Sequence, residues 1–152
     1  MSERRRTTGT RGGPPLVVLL SRGAGEYRRS VRGRLQASGF DDLPRSSSWV
    51  LTTLVQGPAI LGQLAARLGT TKQALSRLSE ALVDRGYLRR NSDPSDHRLV
   101  RLSLTAHGRA AAECIVAAVN EVDQAVERRT GRGGKVAAEQ ALRLAFSDAE
   151  RP

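Results

Sequence analysis

Arg90-Asn91-Ser92-Asp93-Pro94-Ser95-Asp96-His97-Arg98 is the stretch that decides the fold of this 152-residue chain. It lies between two short apolar strand candidates, Tyr87-Leu88 and Leu99 to Leu104, so the spacing predicts a basic hairpin. Arg89 and Arg90 fall on its first strand, and Arg98 and Arg101 fall on or near its second. Asp96 stands two residues before Arg98, close enough to pair with the guanidinium and fix its orientation.

Upstream of the hairpin the pattern is helical. Ile60 to Leu68 carries apolar residues at 61, 64, 65 and 68, and Gly69 supplies the backbone of a sharp turn. Thr71 then caps a helix over Lys72 to Arg85. Leu75, Leu78, Leu82 and Val83 face a core, which leaves Gln73, Ser76, Arg77 and Glu80 on the opposite face. A basic hairpin behind a helix-turn-helix is a winged helix, a geometry used mostly to grip DNA.

Composition agrees. Twenty-five basic residues against fifteen acidic ones give a net charge of +10, and the pI near 11.3 favours a polyanionic partner. Apolar content of 39% with 3% aromatics rests the core on Leu, Val and Ala, which suits packed helices. Cys114 is the only cysteine, so no internal disulfide is expected, and no Cys/His cluster has zinc spacing. The five-residue run Leu16 to Leu20 is too short for a secretory signal, and no membrane span is expected; the cytoplasm is the default location. Two histidines, one cysteine and no phosphate loop offer no catalytic constellation, so an enzyme and a bound cofactor are not expected.

Outside the winged helix the organisation reads as follows. Residues 1–15 form a basic arm with Arg4, Arg5, Arg6 and Arg11, too polar to order itself. Residues 16–40 are an N-terminal helix, stopped by Gly39. Residues 41–104 are the DNA-binding domain, which opens with a helix from Leu43-Pro44 through Trp49, Leu51, Leu54 and Val55. Residues 105–152 supply C-terminal helices: Thr105 caps a long helix from Ala106 to about Arg129, Gly131 to Gly134 make a turn, and Lys135 to Phe146 form a last helix. The fold class is thus mainly α with a small β-wing, a winged helix-turn-helix flanked by N- and C-terminal helices.

These residues carry a resemblance to a known family. Leu64-Ala65, Leu68-Gly69, Thr71 to Leu78, Leu82, Arg85-Gly86-Tyr87-Leu88-Arg89-Arg90, Asp93 to Arg98 and Leu104-Thr105-x-x-Gly108 are similar to the MarR family of transcriptional regulators. In element order the resemblance spans about residues 16–146. It implies a triangular homodimer, with residues 16–40 and 105–152 as the N- and C-terminal dimerisation helices, whose two winged lobes bind a pseudo-palindrome in double-stranded DNA. It assigns the wing acid and the minor-groove arginine to Asp96 and Arg98, and the recognition-helix contacts to Lys72, Gln73, Ser76 and Arg77. Thr71, Arg89, Arg90, His97 and Arg101 complete the expected DNA-binding set. His97 stands where many members have another arginine, Thr70 replaces a position that is usually apolar, and the short, Gly-flanked last helix implies a smaller dimer interface.

The function expected is a sequence-specific regulator, a repressor, released from DNA by a small-molecule effector. The alternatives are a nonspecific architectural DNA-binding protein, driven by charge, and a winged helix used for protein interaction. Arg28, Arg32 and Trp49 are the candidates for an effector site, with a core position as the plainer expectation for Trp49. Cys114 is expected to be a buried structural residue, since no neighbouring base is evident to activate its thiol. No metal site is expected.

Overall fold

The computed structural model describes residues 13–146. The elements run α1 (Leu16–Ala37), α2 (Ser48–Leu54), β1 (Ala59–Ile60), α3 (Leu61–Arg67), α4 (Lys72–Asp84), β2 (Leu88–Ser92), β3 (Val100–Leu104) and α5 (Ala106–Phe146). The sheet is antiparallel in the order β1-β3-β2. Arg4, Arg5, Arg6 and Arg11 of the basic arm lie outside the described residues.

The helix-turn-helix forms where its glycines require it. Gly69 has φ +62° and Gly86 has φ +75°, values that side-chain-bearing residues rarely adopt. Each lets the chain reverse at a helix end. Thr70 N–H reaches back to the Ala65 carbonyl at 3.0 Å, and Tyr87 N–H to the Leu82 carbonyl at 2.8 Å. Between them, the Thr71 hydroxyl accepts from Ala74 N–H at 3.1 Å and so starts α4.

The core joins the helices to the sheet. Val50, Leu51 and Leu54 of α2 pack with Leu61, Leu64 and Ala65 of α3 and with Leu75 and Leu82 of α4. Leu88 and Leu102 close it from the sheet, and Ala111, Ala112 and Ile115 from α5. Thr105 joins the hairpin to α5. Its hydroxyl accepts from Gly108 N–H at 2.9 Å and donates toward the backbone carbonyls of Gly86 and Tyr87. Gly108 is buried because the Tyr87 carbonyl lies against it; a Cβ there would stand 2.0 Å from that oxygen.

Three expectations are corrected. α2 begins at Ser48, not at Leu43-Pro44. Residues 43–47 turn instead, with Ser47 N–H on the Pro44 carbonyl at 3.0 Å. Ile60 leaves α3 to pair with Arg101 in a third strand, where Ala59 faces Leu102. The predicted four-residue turn near residue 131 narrows to one residue: Gly131 alone is non-helical (φ 73°, ψ 163°), and the helix resumes after it.

α1 lies antiparallel to α5. The Ser30 hydroxyl donates to the Ala118 carbonyl at 3.2 Å, Arg34 pairs with Glu121, and Tyr27 donates to Asp123. Lys135, beyond the break, returns to Asp123 at 3.1 Å and so fixes the angle of the last arm. Cys114 is half-buried on the same seam rather than fully buried, its sulfur 3.2 Å from the Ser38 hydroxyl.

Candidate nucleic-acid interface

α4 presents the face that its spacing implies. Lys72, Gln73 and Arg77 are exposed and Ser76 is half-buried, while Leu75, Ser79 and Leu82 are buried beneath. Ser79, a polar residue on the apolar face, is satisfied by donating to the Ser76 carbonyl at 2.8 Å. Thr71, at the helix start, is occupied by its cap and remains exposed.

The wing is the antiparallel pair β2–β3, with Arg89 opposite Ser103, Arg90 opposite Leu102 and Asn91 opposite Arg101. Its tip is closed by Asp93 N–H on the Leu99 carbonyl and Leu99 N–H on the Asp96 carbonyl, both 2.9 Å. Arg89, His97 and Arg98 are exposed.

Asp96 does not hold the Arg98 guanidinium. Its carboxylate accepts from the Arg98 backbone N–H at 3.0 Å, which fixes the turn and leaves the Arg98 side chain pointing into solvent. The acid that does hold an arginine is Asp93, which sequence reasoning left unassigned. It is 1% exposed. It accepts from Arg101 Nε at 2.8 Å and lies 2.7 Å from a second guanidinium nitrogen. The Ser95 hydroxyl also donates to it, as does Ser95 N–H at 2.9 Å. Ser95's hydroxyl and N–H, then Arg101, hold the Asp93 carboxyl well below the usual carboxylate range despite its burial. Arg101, expected on DNA, is therefore engaged by Asp93 where the wing strands meet the tip. The signal available in the sequence was the Asp93-Pro94-Ser95 spacing, where an aspartate bonds the backbone two residues on.

Glu80 joins the two halves of the surface. Its carboxylate accepts from the Ser76 hydroxyl and from Arg90, each at 3.1 Å. The exposed face of α4 and the outer wing strand are thereby one continuous surface.

The effector candidates are not brought together. Trp49 is 75% exposed rather than in the core, because Val50 and Leu51 take the buried positions of α2. It borders a groove of ≈ 450 Å³ with Val50, Arg67, Leu68, Thr70 and Leu78. Arg28 and Arg32 are exposed on α1 and do not line it. His107 is exposed, with its ring stacked on Tyr87 at 4.5 Å and tilted against Phe40 at 5.1 Å. Among the described residues, no group of three or more His, Cys, Asp or Glu side chains is placed to hold a metal. No described helix is long and apolar enough to cross a membrane.

Residues 41–99 match the family model described as MarR family. Among solved structures, a MarR transcriptional regulator from Methanosarcina mazei Go1 superposes with a TM-score of 0.72 at 18% identity, over 88% of this chain and 94% of that one. A mutant MarR from E. coli complexed with operator DNA gives 0.70 at 21% identity, over 87% and 94%. BpsR of Bordetella bronchiseptica, described with the regulation of its DNA binding by 6-hydroxynicotinic acid, gives 0.68 at 23% identity, over 91% and 100%. No curated protein matches the sequence.

Proposed function

We infer from the chain's membership of the MarR family, carried by the winged helix of residues 41–99, that it is a sequence-specific DNA-binding transcriptional regulator. One observation carries the reading: the Glu80–Arg90 contact at 3.1 Å makes the polar face of α4 and the basic wing a single surface. α4 enters the major groove with Lys72, Gln73, Ser76 and Arg77, and the wing tip reaches the flanking minor groove with Arg98. Lys72 and Arg89 serve phosphate contacts, which position without specifying.

The protein acts as a homodimer on a pseudo-palindromic operator, and as a repressor by occupying it. Two patches of exposed apolar side chains support the dimer. Leu16, Val17 and Leu19 start α1, and Val136, Leu144 and Phe146 lie on the last arm of α5. Because α1 and α5 are antiparallel, both patches belong to the same end of the molecule, and grouped apolar surface of this kind marks an interface. Release by a small molecule is supported by the groove beside Trp49, which borders the recognition helix at Ala74, Leu75 and Leu78.

The test is affinity for the chain's own upstream DNA against random duplex at physiological salt. A regulator prefers its site by about a thousandfold or more. No preference above nonspecific binding would refute it. The +10 charge favours a second reading, an architectural binder. That reading predicts a steep salt slope with almost no sequence discrimination.

A further inference from the structure

Ser76 and Glu80 stand one helical turn apart on the exposed side of α4, and their contact fixes where the serine proton is. A serine hydroxyl has one proton to donate and two lone pairs to accept with. An ionised carboxylate has no proton, so in the 3.1 Å contact Ser76 must be the donor. The same carboxylate oxygen takes Arg90 at 3.1 Å, and that second contact holds it in place. Arg90 comes from the wing, so the wing sets the rotamer of a recognition-helix acid. What Ser76 has left to offer is lone pairs alone.

We propose that Glu80 is a positioning residue that sets the hydrogen-bond polarity of Ser76, so that the recognition helix accepts from an amino-bearing base. In the major groove, adenine N6 and cytosine N4 are donors, whereas guanine N7 and O6 and thymine O4 are acceptors. A serine with its proton committed to Glu80 favours A or C over G or T on the strand it faces. It also makes no bond to a phosphate oxygen, which only accepts. Glu80 further keeps Arg90 beside the helix, so Arg90 contributes less to phosphate binding than Arg89, which has no side-chain partner among the described residues. This inference rests on the regulator reading and adds the base chemistry that one of its positions selects.

Stability is not what the contact supplies. The Glu80 side chain is 58% exposed and that of Arg90 34% exposed, and ion pairs so open to water contribute little to folding. A carboxylate on a DNA-facing surface also repels phosphates. Its presence is accounted for by the polarity it imposes.

The experiment selects duplexes from a randomised library with the wild-type chain, then repeats the selection with Ser76→Ala, Glu80→Ala and Glu80→Gln. Ser76→Ala identifies the position that Ser76 reads. There the wild type prefers A or C by about fivefold, the worth of one hydrogen bond. Glu80→Ala frees the proton and flattens that preference while the other positions keep theirs. Glu80→Gln retains an accepting oxygen and retains the preference, although the charge is gone. The inference is overturned if Glu80→Ala keeps the wild-type preference, or if Glu80→Gln loses it as Glu80→Ala does. A wild-type preference for G or T at that position also overturns it. If the wild type selects no sequence at all, the regulator reading falls first and this one with it.

Discussion

Asp93 and Arg101 are joined where the wing strands meet the tip, eight residues apart in sequence and in contact through a carboxylate that is 1% exposed. The pairing follows from register. Arg101 sits opposite Asn91, and Asp93 is two steps further along the same strand direction, hence on the same side of the pleat. The tip that carries Arg98 hangs from this joint. Its acid has a lowered folded-state pKa, so its contribution is complete above the unfolded value of about 4 and is lost as pH falls through the folded one. Hydrogen-exchange protection at Asp93 and Leu99, whose N–H groups close the tip, is expected to hold from neutral pH down to about pH 4 and to decline below it. Asp93→Asn loses that protection already at neutral pH. Unchanged protection in Asp93→Asn would refute the joint.

Arg98 is exposed and its guanidinium is not held by Asp96, so it is free to enter a groove. Arg98→Ala is expected to weaken operator binding by ~1–3 kcal/mol per half-site. It leaves α1 and α5 untouched, so sedimentation should show the same oligomer as the wild type. Loss of the oligomer would show that the wing has been assigned wrongly.

Gln73 stands exposed in the first turn of α4 with a side-chain amide able to pair bidentately with adenine. Gln73→Ala is expected to relax specificity at one or two base positions, by roughly 1–3 kcal/mol each. A selection experiment that returns the wild-type site unchanged removes Gln73 from the readout.

Gly108 has no room for a methyl group. The nearest obstacle is the Tyr87 backbone carbonyl, 2.0 Å from where a Cβ would stand, and backbone does not swing aside as a flexible side chain does. Gly108→Ala must push α5 off the hairpin, at a cost of about 3 kcal/mol. In a chain of this size that lowers the melting temperature by roughly 6–12 °C. A variant that melts with the wild type would show that the helix and the hairpin do not meet this closely.

What could be read from the sequence divides along physical lines. α4 was legible because Leu75, Leu78 and Leu82 recur at helical spacing between two turn glycines, and its bounds came out within a residue. The wing strands were legible as short apolar runs around a charged tip. β1 was not, because two residues cannot display a period; Ala59 and Ile60 are strand only through Leu102 and Arg101. The exposure of Trp49 was equally hidden, since a seven-residue helix allows more than one buried face, and the contact with the core selects Val50 and Leu51. Asp93 and Asp96 each precede a useful partner by two residues. Only the strand register decides that Asp93 is buried on Arg101 while Asp96 is spent on backbone. The Glu80 contacts depend on the docking of hairpin against helix, which no local pattern encodes.

Tyr27 gives a handle on the opposite end of the molecule. Its hydroxyl donates to Asp123, which also receives Lys135 from beyond the break at Gly131, so one carboxylate ties α1 to both arms of α5. Burial, and then Asp123, push the Tyr27 pKa up to about 12. A raised folded-state pKa means that the tie is intact below the unfolded value of about 10 and is lost as pH rises through about 12. Tyr87, the only other tyrosine, is also pushed up, by burial and then by its bond to Asp42. Tyrosinate absorbance is therefore expected to stay low through pH 10, a range in which a free tyrosine is already half ionised. Tyr27→Phe removes the earlier of the two steps and leaves the Tyr87 step in place. Because the last arm is held through Asp123, the same variant should weaken self-association more than it weakens the fold. A titration centred near pH 10 in the wild type would mean that Tyr27 does not bond Asp123, and that α1 and the last arm are not held by a common group.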